Sequence, residues 1–135
     1  MPGEMRELGL DYETLNTINP QLVVTSVTTF GHTGPYRNYK GYAINAVAMS
    51  GVASRIGDPN RPPLTTPFSR GDYWGAINAA SASMAAIFGR RKTSRGQHVD
   101  ISSSECMSNV VNALTTMDYV DVGFYPRRSG HRLNY

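Results

Sequence analysis

From Gly75 to Ala86 the chain reads GAINAASASMAA, a run in which only Ile77, Asn78 and Met84 are larger than serine. Alanine-rich sequence of this kind favours a helix, and a helix without bulk lets neighbouring backbones come close. This helix is therefore expected to be buried and rigid, with Ile87 and Phe88 among its few bulky members. Gly89 suits its C-terminal cap, and Arg90, Arg91 and Lys92 place positive charge at the negative end of the helix dipole, or alternatively against a ligand phosphate. The turn TSRGQ then leads into HVDIS, whose alternation and β-branched Val99 and Ile101 predict a strand. A helix that feeds a strand through a short turn is a unit of α/β proteins.

At the other end of the small-residue helix stands Asp72, where the helical pattern begins. The free first-turn N–H groups and the positive end of the dipole favour an ionised carboxylate there. Such a carboxylate is either a cap or a nucleophile, and residue pattern alone leaves both open.

The rest of the chain supports this unit. Residues 1–9 and 11–18 read as two short helices, the second stopped by Asn19-Pro20. Residues 21–27, QLVVTSV, form an apolar β-branched run that predicts a buried strand. TTFGHTGPYRNYKGY follows it, a loop of glycine, aromatic and hydroxyl residues placed where open α/β sheets bind ligands. Residues 43–50 are again helical in pattern, and 51–70 are mostly irregular, with a turn at DPNRPP. Ser102, Ser103, Ser104 and Glu105 predict a helix start, with Met107, Val110, Val111, Leu114 and Met117 continuing its apolar side before a terminal loop. The order helix, strand, helix, helix, strand, helix predicts part of a doubly wound α/β layer, yet two strands make a poor sheet.

Composition narrows the function classes. The 135 residues suit one domain, and a net charge of +3 without interleaved basic and aromatic residues argues against nucleic acid. No apolar run approaches the ~20 residues of a membrane span, and no signal-peptide core is present at the start. A single cysteine, Cys106, excludes an internal disulfide framework, fits a reducing, cytoplasmic compartment, and is expected to be a small buried residue. His32, His98 and His131 are widely separated and no HxxxH or CxxC occurs, so no metal site is expected. The nucleotide fingerprints GxGxxG and Walker A and the elbow GxSxG are likewise missing. Lys40 beside Tyr42 reads equally as a ligand contact or as a solvated charge next to a half-buried ring.

The segments PGEMRELGL, ETLNTINPQLVVTSVTTFGHTGPYRNYKGYAINAVAMSG, GDYWGAINAASASMAAIF and RKTSRGQHVDISSSE together resemble the class III coenzyme A transferases of the CaiB/BaiF type, the family of formyl-CoA, carnitine-CoA and bile-acid CoA transferases. The likeness runs from Pro2 to about Glu105 and is looser beyond. It implies that residues 1–135 are an internal portion of a Rossmann-like large domain, whose complete chains form interlocked homodimers. It implies further that Asp72 is the nucleophile, forming an aspartyl anhydride and then an aspartyl-CoA thioester, and that Lys40, Gly41, Tyr42 and Ala43 contact CoA. Coenzyme A would be a substrate, with no permanently bound cofactor. Glu7 stands where relatives often carry a basic residue beside the adenine, so that contact is not carried over.

Two other readings compete. The α-methylacyl-CoA racemases look similar through this region but pair the aspartate with a histidine where this chain has Tyr42, and tyrosine is a poor base near neutral pH. A non-catalytic binding or assembly module is the third reading.

Overall fold

The computed structural model describes residues 2–65, 68–111, 120, 121, 123, 128 and 130. Its frame is a parallel pair of strands, β1 (Val23–Thr28) and β2 (Gln97–Ser102), registered from Val23 opposite Gln97 to Thr28 opposite Ser102. Parallel neighbours need a long crossover, and here it contains α3 (Ala43–Met49), a short 3₁₀ turn at Ala53–Arg55 and α4 (Arg70–Thr93). Helices α1 (Pro2–Glu7) and α2 (Tyr12–Ile18) precede β1, and α5 (Ser103–Ser108) follows β2 directly, continued by a 3₁₀ turn at Asn109–Val111. The fold is α/β, as the alternation of elements predicts. Leu114 and Met117, the expected continuation of the last helix, and most of the expected terminal loop lie outside the described residues.

Local chemistry explains the element ends. Gly9 leaves α1 with φ 68°, and Asp11 caps α2, its Oδ1 accepting from the Thr14 N–H at 3.1 Å and its Oδ2 from the Thr14 hydroxyl at 2.8 Å. Ser102 caps α5 by accepting from the Glu105 N–H. Between α4 and β2 the chain passes so close to Leu22 that a Cβ on Gly96 would collide with its carbonyl, while the Gly96 N–H donates to Pro20 O at 2.8 Å. Glycine at 96 thus lets β2 start alongside β1.

Two expectations for α4 need correction. Gly89 is not its cap: the helix runs on to Thr93, and Ser94 caps it in the left-handed conformation (φ 55°), its N–H donating to Arg90 O. One interior glycine costs only about 1 kcal/mol against alanine, which the flanking strong helix formers outweigh. Nor is the helix buried all round. Gly71, Gly75, Ala79 and Ala86 form one buried stripe facing α3, α5 and the strands, whereas Ile77 (56% exposed), Met84 (65%) and Phe88 (59%) stand on the open side. The small residues serve that stripe: a Cβ on Gly71 would sit 2.9 Å from Ala43 O, and the Ser83 and Thr25 hydroxyls meet at 2.6 Å.

The enclosed core is small and lies where α3 meets α5: Ala46, Val47, Val52 and Met107, with Ala53 and Ile56 against them. Cys106 is buried beside Met107, and burial, with Glu105 adjacent, pushes its thiol pKa up, as an inert small residue requires. β1 is only half-buried: Val27, on the face turned to α4, is 46% exposed where it lines the open cavity at the end of the strand. Arg128 organises the irregular 51–64 segment, its guanidinium donating to the carbonyls of Ser54, Asp58 and Arg61. Among the described residues no helix is long and apolar enough to cross a membrane.

Candidate active site

The loop that leaves β1 turns back over the C-terminal ends of both strands. Thr29 ties it at both ends: its carbonyl accepts from the Ser104 N–H at 3.0 Å, and its hydroxyl donates to Gly41 O at 2.9 Å. Gly41 lies hard against this tether, since an added Cβ would sit 2.7 Å from Thr29 Cγ2 and 2.9 Å from Phe30 Cε2. Within the loop, the rings of Phe30, Tyr36 and Tyr39 pack in succession. Asn45 Oδ1 accepts from the Tyr42 N–H at 2.8 Å and so fixes Tyr42 at the start of α3.

A cavity of about 450 Å³ opens between this loop, the end of β1 and the first turn of α4. Lys40, Gly41, Tyr42 and Asp72 all line it, so four of the five residues singled out from the sequence meet at one place. Ala43 does not line it; it packs under Gly71 and sets the approach of α4 to α3. Asp72 is exposed, third in α4 after the N-cap Ser69, and its carboxylate accepts no hydrogen bond among the described residues. The first turn is closed instead by backbone, with the Asp72 and Tyr73 N–H groups donating to Ser69 O. Asp72 therefore does not cap the helix, and its side chain is left to the cavity.

The basic trio lies elsewhere. Arg91 is about 28 Å along the helix axis from Asp72 at 1.5 Å per residue. Arg90 donates to Gln21 O and Lys92 rests over the Phe88 ring, so these cations belong to the far end of α4. Near the cavity the cations are Lys40 and Arg37, with Glu4 of α1 facing them.

Sequence reasoning missed Ser103, Glu4 and Arg37 in this wall. Arg37 belongs to the loop flagged for ligand binding. Ser103 read only as part of a helix start, although it directly follows the C-terminal end of a parallel strand, which is itself a signal. Two of the histidines, His32 and His98, remote in sequence, meet edge to face at 5.2 Å, with Tyr12 stacked on His98 and the Ser26 hydroxyl 2.9 Å from its Nε2. Parallel pairing with a crossover brings such distant residues together. His131 lies outside the described residues.

Against known proteins, residues 1–135 match the family described as CoA-transferase family III. The chain is 35% identical over 127 residues to a succinate–glutarate CoA-transferase of Agrobacterium fabrum, covering 94% of this chain and 32% of the relative. It is 35% identical over 109 residues to a formyl-CoA:oxalate CoA-transferase of Streptomyces avermitilis, covering 81% of this chain and 26% of the relative. Among solved structures, a CaiB/BaiF family protein from Brucella suis superposes with a TM-score of 0.86 at 38% identity, over 93% of this chain and 33% of that one. The chain thus spans about a quarter to a third of the length of these relatives.

Proposed function

The chain belongs to CoA-transferase family III, and from that premise we propose that it forms an internal portion of the large, Rossmann-like domain of an enzyme that moves CoA between an acyl-CoA and a carboxylic acid. The observation that carries this reading is the placement of Asp72: a carboxylate with no capping bond, in one cavity with Lys40, Gly41 and Tyr42. Structural relatives and curated CoA-transferases of the same family support it.

In the proposed sequence, an Asp72 oxygen attacks the thioester carbonyl of the donor, the C–S bond breaks, and CoA leaves as a thiolate from a mixed anhydride. The thiolate then attacks the aspartyl carbonyl of that anhydride, expelling the donor acid as a carboxylate and leaving an aspartyl-CoA thioester. An acceptor carboxylate repeats the two displacements in reverse order, regenerating Asp72 and releasing a new acyl-CoA. No net proton is consumed, and thioester energy is conserved if water stays out. The positive end of the α4 dipole favours the charge on Asp72 and on the developing oxyanions. Lys40 meets a CoA phosphate as a point charge, while Gly41 and Tyr42 line the path of the adenosine or pantetheine, with Ala43 supporting them from behind.

Tyr42 is 79% exposed and Asp72 is also open to solvent, so one side of the cavity is uncovered. In this reading the remainder of the domain and the second subunit of an interlocked homodimer close it. The test is mass spectrometry of the Asp72 peptide from the complete polypeptide after incubation with a panel of acyl-CoAs and hydroxylamine. A hydroxamate on Asp72 is expected. An unmodified Asp72 with every donor, in protein that binds CoA, overturns the assignment, as does rapid α-proton exchange in deuterated solvent.

A further inference from the structure

Ser103 is 5% exposed and lies in the wall of the cavity that Asp72 also lines. Its hydroxyl has no hydrogen-bond partner among the described residues, in contrast to the neighbouring Ser102 and Ser104, whose hydroxyls are 3.0 Å apart. The hydroxyl is not itself shut off from solvent: among the described residues the wholly buried, unpaired side-chain oxygen is Thr28 Oγ1, so the Ser103 hydroxyl opens on the cavity and is free to bond a bound group. The helix has also made room for this side chain: a Cβ on Gly75 would sit 2.6 Å from Ser103 Oγ. Gly75 is three residues after Asp72 on α4, and residues at that spacing are neighbours on one helix face, about 5–6 Å apart. The Ser103 hydroxyl is therefore held within one helical turn of the proposed nucleophile.

We propose that Ser103 is a specificity-determining residue whose hydroxyl donates to an oxygen on the acyl chain, selecting short acyl groups that carry a hydroxyl or a second carboxylate within two or three carbons of the thioester. This rests on the reading of Asp72 as the nucleophile. An alkyl chain of the same length gives Ser103 nothing to bond, so binding it leaves the hydroxyl buried and unpaired. Sites built around such a donor discriminate strongly against the analogue lacking the acceptor.

The test uses the complete polypeptide with succinyl-CoA, 3-hydroxybutyryl-CoA and butyryl-CoA, four-carbon donors that differ in their oxygen atoms. The wild type is expected to favour at least one oxygenated donor over butyryl-CoA. Ser103→Ala is expected to lower kcat/KM for that donor by about 10-fold, the effect of one lost hydrogen bond, with butyryl-CoA changed less than about 2-fold. Ser103→Thr, which keeps the hydroxyl, is expected to retain the preference. An equal fall for all donors in Ser103→Ala, or a wild type without preference, overturns the inference while hydroxamate formation on Asp72 leaves the transferase reading standing. No hydroxamate on Asp72 with any donor overturns both.

Discussion

Gly75 links the packing of α4 to the chemistry proposed around Asp72. A methyl group there would gain helix propensity worth about 0.5–1 kcal/mol. It would also press on Ser103 Oγ at 2.6 Å and Val27 Cγ1 at 3.3 Å, and overpacking of a tight contact costs about 1–3 kcal/mol. The second effect wins, because both neighbours sit on the strand–helix unit that α4 packs against. Gly75→Ala is expected to lower the thermal midpoint of the complete polypeptide, and a midpoint at or above that of the wild type would show that Ser103 gives way freely. Asp72 itself was legible from the sequence as a helix-start acid, but the choice between cap and cavity was not. That choice depends on which groups close the first turn, and Ser69 O does so through the backbone.

Among the elements, α2 has its stability tied to a single titratable cap. The two hydrogen bonds from Thr14, side chain first and backbone second, hold the Asp11 carboxyl at about 2, below its ordinary 3.8. A depressed folded-state pKa means that the stabilising contribution is complete above the ordinary value and is lost as pH falls through about 2. Exchange protection of the Thr14 N–H is thus expected to persist at pH 4 and decline toward pH 2, with the Asp11 carboxyl titrating near the lower value in NMR. A titration near 3.8 would mean that the cap is not maintained in solution. The sequence reads Asp11 as the first residue of this helix; the structure makes it the cap of α2, a contact between neighbours in sequence. The end of α4 was not readable from the sequence, because glycine at 89 signals a stop that the surrounding helix formers override.

At the scale of the whole molecule, the decisive quantity is how little the described residues enclose. The core of Ala46, Val47, Val52 and Met107 is small, while Trp74, Ile77, Met84 and Phe88 present an apolar face of α4 to solvent. A two-stranded sheet adds little independent stability. On the proposed reading of the chain as an internal portion of a larger domain, the 135 residues alone are expected to unfold broadly, to associate as concentration rises, and to show no acyl transfer. Calorimetry and sedimentation velocity read the first two, and a sharp two-state transition in a monomer would contradict them. Placing Trp74, Ile77, Met84 and Phe88 within a complete domain that covers them is expected to restore cooperative unfolding.

The sequence by itself determined the elements: the small-residue helix, the two β-branched strands, the helix start at Ser102 and the glycine-bearing loop after β1. Each depends on periodicity or on neighbours a few residues apart. Only the tertiary structure decided which side chains share a cavity, bringing Lys40, Gly41 and Tyr42 to Asp72, adding Ser103 and leaving Ala43 behind α4. It also decided that α4 buries only its glycine and alanine stripe, and that the basic trio belongs to the far end of the helix. Those outcomes follow from parallel pairing and close backbone approach, which join residues far apart in the chain and have no local signature.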